Sequence, residues 1–323
     1  MITTYFSTRA FVSSLRKYLK LERDSDESKI LKRRVGPFLV DNERRKELSI
    51  RIGCADTDDY SRVFALPKSG KNGHFETMIQ LDDAEMLKIQ QVCNSNDGLL
   101  HFQAVTEDND PRVFAGVSHL IPAEGWSIIS DIDDTVKITG VGDKKALLRS
   151  TFMEEFKQVP GMSELYQKWS KELNAKFHFV SSSPWQLWLE LESFLSNVGF
   201  PQATYHLKPI RLKDRTLLDL WKNPLEAKIA VIESILDGFP QRNFILVGDS
   251  GEKDPEVYGE IARRHPNQIH GIYIRNVIEV TGEEERYSLA FEGVNPSIWA
   301  LFTKPEDIEL PVTVLESMQD VKS

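Results

Sequence analysis

Residues 124–136 read EGWSIISDIDDTV, and the fold of the chain turns on how this stretch is taken. Trp126 to Ser130 is a short apolar run of the kind that forms a buried strand. Asp131 follows it directly and Asp133 lies two residues further on, so a turn leaving the strand would offer both carboxylates to one ligand. An Asx-turn in a polar loop has the same pattern. The stretch alone therefore leaves chemistry and turn geometry both open.

The grammar on its C-terminal side repeats it. Apolar runs recur as KFHFVS (176–181), ATYHL (203–207), NFILVG (243–248) and HGIYIR (270–275), with helical stretches near 162–173, 184–198, 224–238 and 255–265. Strands alternating with helices predict a doubly wound parallel sheet, which places ligands outside the carboxyl ends of its strands. Ser183, Pro184 and Gln186 read as a capping start for the second helix, closed by Gly199 and Pro201. Asn223, Pro224 and Glu226 open the third in the same way.

On the N-terminal side the period is two. Leu48, Ile50, Ile52 and Cys54, then Leu100, Phe102 and Ala104, then Val113, Ala115 and Val117 alternate with polar residues. These predict half-buried strands, with DDAEMLKIQQV as one helix, and residues 36–122 are expected to form a small β-sandwich. Residues 1–35 are a basic helical segment with Val12, Leu15 and Leu19 at helical spacing. Such a stretch can lie on anionic lipid, though a helix packed on the body with solvated lysines has the same pattern and is the preferred reading. Residues 305–323 are expected to be an acidic, partly ordered tail.

The formal charge of −9 argues against sequence-independent nucleic-acid binding, which needs a basic face. Cys54 and Cys93 are too few for a disulfide framework and lack zinc-site spacing, so a reducing compartment is expected. No run approaches the roughly 20 apolar residues of a membrane span, and the first residues lack the apolar core of a signal peptide. A soluble, cytoplasmic protein, peripheral to membranes at most, is the expectation.

Reactive side chains cluster at the strand ends. Asp249 ends NFILVG as Asp131 ends WSIIS, and Asp131, the backbone carbonyl of Asp133, and Asp249 form an oxygen set that suits Mg2+. Asp254, followed by Pro255, is either a further metal-site carboxylate or an N-cap. Glu252 is expected to be solvated. Ser181, at a strand end beside a helix N-terminus, suits a phosphate oxygen, whereas Ser183 takes the capping reading. Lys228 sits in the first turn of a helix, where its charge opposes the dipole, so it is either a surface lysine or a partner for Asp131 and a phosphoryl group. Thr135, Ser182, His206, Lys208 and Arg211 complete the candidate substrate-binding set, with a solvated basic loop as the alternative for the last three. Lys213 belongs to the same loop, and Arg275, past the fifth run, is weighed the same way.

DIDDT, then Ser181, then Lys228, then GDSGEKD, in this order, resemble the haloacid dehalogenase superfamily of phosphotransferases. More narrowly, SDIDDTVKITGV, FVSSSPWQLW, YHLKPIRLK and FILVGDSGEKDPEVYGEI followed by IYIR are similar to the catalytic domain of the phosphatidate phosphatases typified by actin patch protein. The resemblance covers residues 124–277 and makes 123–304 the expected phosphatase domain. It implies Asp131 as nucleophile, Asp133 as general acid and base, Ser181 and Lys228 as holders of the phosphoryl group, Asp249 on magnesium and Asp254 supporting it. It also implies a phosphorylated substrate, a lipid phosphate such as phosphatidate. Asp133 favours a phosphatase within that superfamily, because an alkoxide leaves poorly until protonated.

The intervals between Thr135 and the second run and between Gly199 and Asn223 leave no room for a large cap domain, so the crevice is expected to admit bulky or membrane-embedded phosphates. A phosphatase for soluble or protein-bound phosphate and a non-enzymatic lipid or protein adaptor are the competing expectations. The partner of the β-rich segment stays unknown.

Overall fold

The computed structural model describes residues 13, 16–17, 19–39, 43–54, 60–71, 73–93, 98–107, 109–140, 144–209, 225–277, 283–311 and 314–315. The chain divides into two compact units, residues 41–122 and residues 1–40 together with 123–323.

In the larger unit, helix α1 spans Asp26–Val35. Ser25 caps it, its hydroxyl accepting from the Ser28 amide, and acidic residues in its first turn and basic residues in its last complement the helix dipole. Leu31 and Val35 bury its apolar side in the core of the α/β unit. The packed-helix reading of this basic segment therefore holds for residues 26–35, while Val12 and Leu15 lie outside the described residues.

The smaller unit holds β1 (Ser49–Gly53), β2 (Tyr60–Ala65), helix α2 (Asp83–Cys93), β3 (Leu99–Val105) and β4 (Ala115–His119). The strands form one antiparallel sheet in the order β2-β1-β3-β4. Two facing sheets were expected here; among the described residues there is one sheet and one helix, with strands where the alternation put them, although Val113, Ala115 and Val117 are exposed. Alternation marks the two faces of a strand and carries no information about a second sheet. Cys54 and Cys93 form a disulfide, with Cα atoms 4.9 Å apart, that ties the end of β1 to the last residue of α2. Two cysteines were read as too few for a disulfide framework; their proximity, which no sequence spacing reveals, pairs them.

In the larger unit follow β5 (Glu124–Ser130), β6 (Lys137–Ile138), α3 (Lys144–Phe152), β7 (Lys157–Gln158), α4 (Met162–Glu172), β8 (Lys176–Pro184), α5 (Trp188–Asn197), β9 (Ala203–Lys208), α6 (Leu225–Gly238), β10 (Gln241–Asp249), α7 (Asp254–Arg264), β11 (Ile269–Arg275), α8 (Glu283–Ala290) and β12 (Trp299–Phe302). Six strands make one sheet in the order β12-β11-β10-β5-β8-β9, and every pairing in it is parallel. Helices cover both faces, so neighbouring strand residues serve opposite cores. Ile128, Ile245 and Val247 pack with α1, α4 and α5, while Ile129, Phe244 and Leu246 pack with α6, α7 and α8. All five predicted strand runs are present. The edge strand β12 and the antiparallel pair β6-β7 were not predicted, being short and lacking periodicity.

From β5 the chain winds outward to β8 and β9, then crosses back to β10, β11 and β12. The order of winding thus reverses between β5 and β10, and the crevice of a doubly wound sheet opens at that switch point. The tail is less free than expected: Ile308 and Leu310 pack on the core and Val314 is fully buried in it. No helix among the described residues is long and apolar enough to cross a membrane.

Candidate active site

The loop after β5 is held by its own backbone. The Asp131 amide donates to the Val247 carbonyl at 2.9 Å, fixing it against β10, and the Val136 and Lys137 amides donate back to the Ile132 carbonyl. Asp134 adopts φ of 53°, a left-handed conformation that aspartate tolerates better than most residues. Its carboxylate accepts from the Thr139 and Gly140 amides, and Arg275 donates to its carbonyl at 2.6 Å. Arg275 is thus a brace for the loop.

Asp131, Asp249 and Asp254 are fully buried, and each offers a carboxylate oxygen within 4.8 Å of the others. Lys228, in the first turn of α6 and 5% exposed, donates to Asp131 Oδ1 at 2.9 Å and to Asp254 Oδ1. It is no surface lysine. Asp254 is the first residue of α7, not its cap, and accepts instead from Lys228 and from the Asp249 amide. Gly248 makes room for it: a Cβ there would come within 2.7 Å of the Asp254 side chain.

Two carboxylate oxygens, Asp131 Oδ2 and Asp249 Oδ2, are buried with no hydrogen-bond partner, as is Thr135 Oγ1. Burial pushes the Asp131 carboxyl well up, against Lys228 and with help from Asp254, Glu252 and Asp249; burial, Asp254 and Glu252 push Asp249 well up likewise. Burial works to lower the Lys228 ammonium, but Asp131 and Asp254 outweigh it and hold it well above its usual value. Unpaired buried carboxylate oxygens facing one another are costly unless a cation joins them. The donor set is all oxygen, which fits Mg2+ better than a softer ion.

The side chain of Asp133 stands apart from that trio. Its Oδ1 is 2.7 Å from Lys137 Nζ and accepts from Thr139 Oγ1 at 2.8 Å; its Oδ2 accepts from Ser183 Oγ at 2.9 Å and Ser181 Oγ at 3.2 Å. Burial acts to raise this carboxyl, but Lys137, Thr139 and Ser183 outweigh it and hold it below the usual carboxylate range. The capping reading of Ser183 is corrected: β8 continues to Pro184, whose side chain caps nothing, and Ser183 reaches across to Asp133. Gly199, at φ of 86°, does close α5.

Glu252 is not solvated as expected. It is half-buried, accepts from Ser182 Oγ at 3.4 Å, and is pushed up to about 7 by burial, with Lys228 opposing and Asp254 adding. His206 sits elsewhere than expected, its Nε2 3.1 Å from Thr204 Oγ1 and its ring beside His178. Burial pushes its imidazole down, so it brings no charge to a phosphate. Lys208 is half-buried at the end of β9, opposite Pro184, whereas Arg211, Lys213, Asn223 and Pro224 lie outside the described residues.

Lys137, Thr139, Ser183 and Glu252 are the site residues that sequence reasoning missed. Nothing in VKIT marks Lys137 as buried, since a lysine after a strand is ordinarily solvated. The one available signal was the even spacing of Asp133, Lys137 and Thr139 along a segment that turns back on itself.

The family described as the catalytic domain of phosphatidate phosphatase APP1 matches residues 126–276, the span from β5 to the end of β11. Phosphatidate phosphatase APP1 of Saccharomyces cerevisiae is 36% identical over 167 residues, which cover 49% of this chain and 28% of that protein. An uncharacterized protein of Schizosaccharomyces pombe is 33% identical over 182 residues, 54% of this chain and 29% of its own. The chain thus spans under a third of the length of these two relatives. A solved structure of a putative β-phosphoglucomutase from Thermotoga maritima overlaps 60% of this chain and 99% of its own at 16% identity, with a TM-score of 0.33, a likeness too slight to bear on fold or function. Asp131, Asp133, Ser181, Lys228, Asp249 and Asp254 all fall inside residues 126–276, the span that is similar to the phosphatidate phosphatase APP1 catalytic domain.

Proposed function

We propose that this chain is a divalent-cation-dependent phosphomonoester hydrolase that works through an aspartyl phosphate on Asp131 and acts on phosphatidate or a related lipid phosphate. The observation that carries the reading is the buried trio of Asp131, Asp249 and Asp254 at the switch point, with one lysine between two of them and two carboxylate oxygens left without a partner. The lipid comes from the relative in yeast, whose printed name is phosphatidate phosphatase.

Mg2+ held by Asp131 and Asp249, with Asp254 and the Asp133 carbonyl as further candidate donors, would supply charge neutralisation for the phosphoryl oxygens. Asp131 attacks phosphorus in line, forming the new P–O bond as the ester P–O bond breaks. Asp133 gives its proton to the departing alkoxide oxygen. In the second half water attacks phosphorus, its proton returns to Asp133, and the acyl phosphate bond breaks to release phosphate and free Asp131. Asp133 is ionised in the free site, and the negative charge of the arriving phosphate offsets Lys137 and lets it take up the proton it then donates. Lys228 and the Ser181 hydroxyl offset charge on the phosphoryl group, and Thr135 Oγ1, without a partner, is a further donor to it.

The test is turnover of an aryl phosphate by wild type, Asp131→Asn and Asp133→Asn, with magnesium or with EDTA. Loss of turnover in both variants and in EDTA is expected. Wild-type rates in Asp131→Asn would end the proposal. Phosphate release from phosphatidate micelles, lysophosphatidate, phosphopeptides and sugar phosphates tests the substrate class, and preference for the soluble esters would replace the lipid with a soluble phosphate.

A further inference from the structure

Lys137 is 1% exposed, yet it is a lysine on a two-residue strand. Burying an ammonium costs several kcal/mol unless its surroundings satisfy it, so its neighbours say what it is for. Its Nζ lies 2.7 Å from Asp133 Oδ1 and donates to Thr139 Oγ1. The same hydroxyl donates to Asp133 Oδ1, closing a triangle of lysine, threonine and carboxylate. On its far side Nζ lies 5.0 Å from the centre of the Phe156 ring, whose own environment includes the Arg34 guanidinium at 3.6 Å and an edge-on Phe194.

The other carboxylate oxygen is held from β8 by Ser183 and Ser181. Each oxygen of Asp133 is therefore clamped from a different element, β6 on one side and β8 on the other. The strand that carries the first clamp is itself secured. Lys137 and Ile138 pair with Gln158 and Lys157, and Ser150 of α3 donates to the Thr139 carbonyl at 2.8 Å. Arg34 of α1 donates to the carbonyls of Thr151, in the last turn of α3, and Glu154, just after it, at 2.9 and 2.7 Å.

We infer that Lys137, with Thr139, is a positioning residue that fixes the carboxylate of Asp133 where it meets the leaving-group oxygen; this rests on the phosphatase reading above. A carboxylate with one oxygen released can rotate about its side-chain bonds, and a misplacement of about 1 Å costs on the order of 10²-fold in rate. Up to formation of the phosphoenzyme, the part of the reaction that kcat/KM reports, the loss falls on proton donation alone. An ester whose alcohol leaves readily as an anion escapes most of it, whereas an alkyl ester bears it fully. A merely structural lysine would lower both alike.

The experiment compares kcat/KM, which reports formation of the phosphoenzyme, for 4-nitrophenyl phosphate and for phosphatidate in detergent micelles. Wild type, Lys137→Met, Thr139→Val and Asp131→Asn are measured, with circular dichroism to establish folding. Lys137→Met is expected to lose about 10²-fold on the alkyl ester and no more than about tenfold on the aryl ester, with KM little moved. Thr139→Val is expected to shift the same ratio in the same direction by a smaller factor. Equal losses on both esters, or an unchanged ratio, would overturn the inference. If Lys137→Met does not fold, Thr139→Val decides it by the same criterion. Asp131→Asn separates the two claims, since turnover there removes the phosphatase reading itself.

Discussion

In the metal-free protein, Asp249→Asn should raise stability, and in magnesium the same change should remove a gain. The three site carboxylates present oxygens within 4.8 Å of one another. Two unit charges at that spacing repel by about 3.5 kcal/mol at an effective dielectric near 20. Lys228 pairs with Asp131 and Asp254, and its charge cancels part of this, leaving a net cost to ionised Asp249 of roughly 1–2 kcal/mol. Burial, Asp254 and Glu252 raise its carboxyl well above its ordinary value. For a carboxyl raised in the folded state the destabilisation is absent at low pH and develops as pH rises through the folded pKa. In EDTA the variant should therefore melt about 2–8 °C higher, and the difference should shrink on acidification. Magnesium at about 100 times its Kd should stabilise wild type by about 2.7 kcal/mol, or roughly 5–11 °C, and the variant by less than a third of that. Differential scanning calorimetry in EDTA and in a magnesium titration reads both. A wild-type-sized magnesium shift in the variant, with no gain in EDTA, would refute the claim that Asp249 is one of the carboxylates a cation relieves.

Gly248→Ala would bring a methyl within 2.7 Å of Asp254 and force that carboxylate off Lys228, so the proposed phosphatase activity should fall by about 10²-fold while the protein still folds, as kcat and a thermal melt would show. Arg34→Met should destabilise the larger unit by about 3–5 kcal/mol and lower its melting temperature by roughly 10 °C, because a 1% exposed guanidinium leaves two strongly bonded carbonyls and Glu190 behind; a loss under about 1 kcal/mol in urea melts would contradict that. Burial acts to raise the Glu190 carboxyl, but Arg33 and Arg34 outweigh it and lower its pKa. The stability it contributes is then full above the unfolded carboxylate value and lost as pH falls through the folded one, so the gap between wild type and Glu190→Gln in urea melts should be present at about pH 7 and gone by about pH 3.

The α/β sheet was legible because its strands are buried on both faces and so read as unbroken apolar runs, each ending on a residue that leaves the core. Asp131 and Asp249 could be placed at the mouth of the sheet because each closes such a run, although the runs alone left chemistry and a turn both open. Lys228 was legible as an anomaly against the helix dipole. The β-rich unit was legible only to the level of its strands, since alternation marks the two faces of a strand and carries no information about a second sheet.

Tertiary structure alone decided the rest, and always for the same physical reason. Whether a polar side chain is solvated, caps a helix or enters a site depends on partners distant in the chain, and local pattern carries no information about them. Ser183 has the position of a cap and spends its hydroxyl on Asp133, fifty residues away. Glu252 and Lys137 look like surface charges and are drawn into the crevice by groups on β8 and by the returning loop after β5. The identity of the carboxylates was written in the order of residues; their convergence within 4.8 Å was set by the reversal of strand order between β5 and β10, which only the assembled sheet contains.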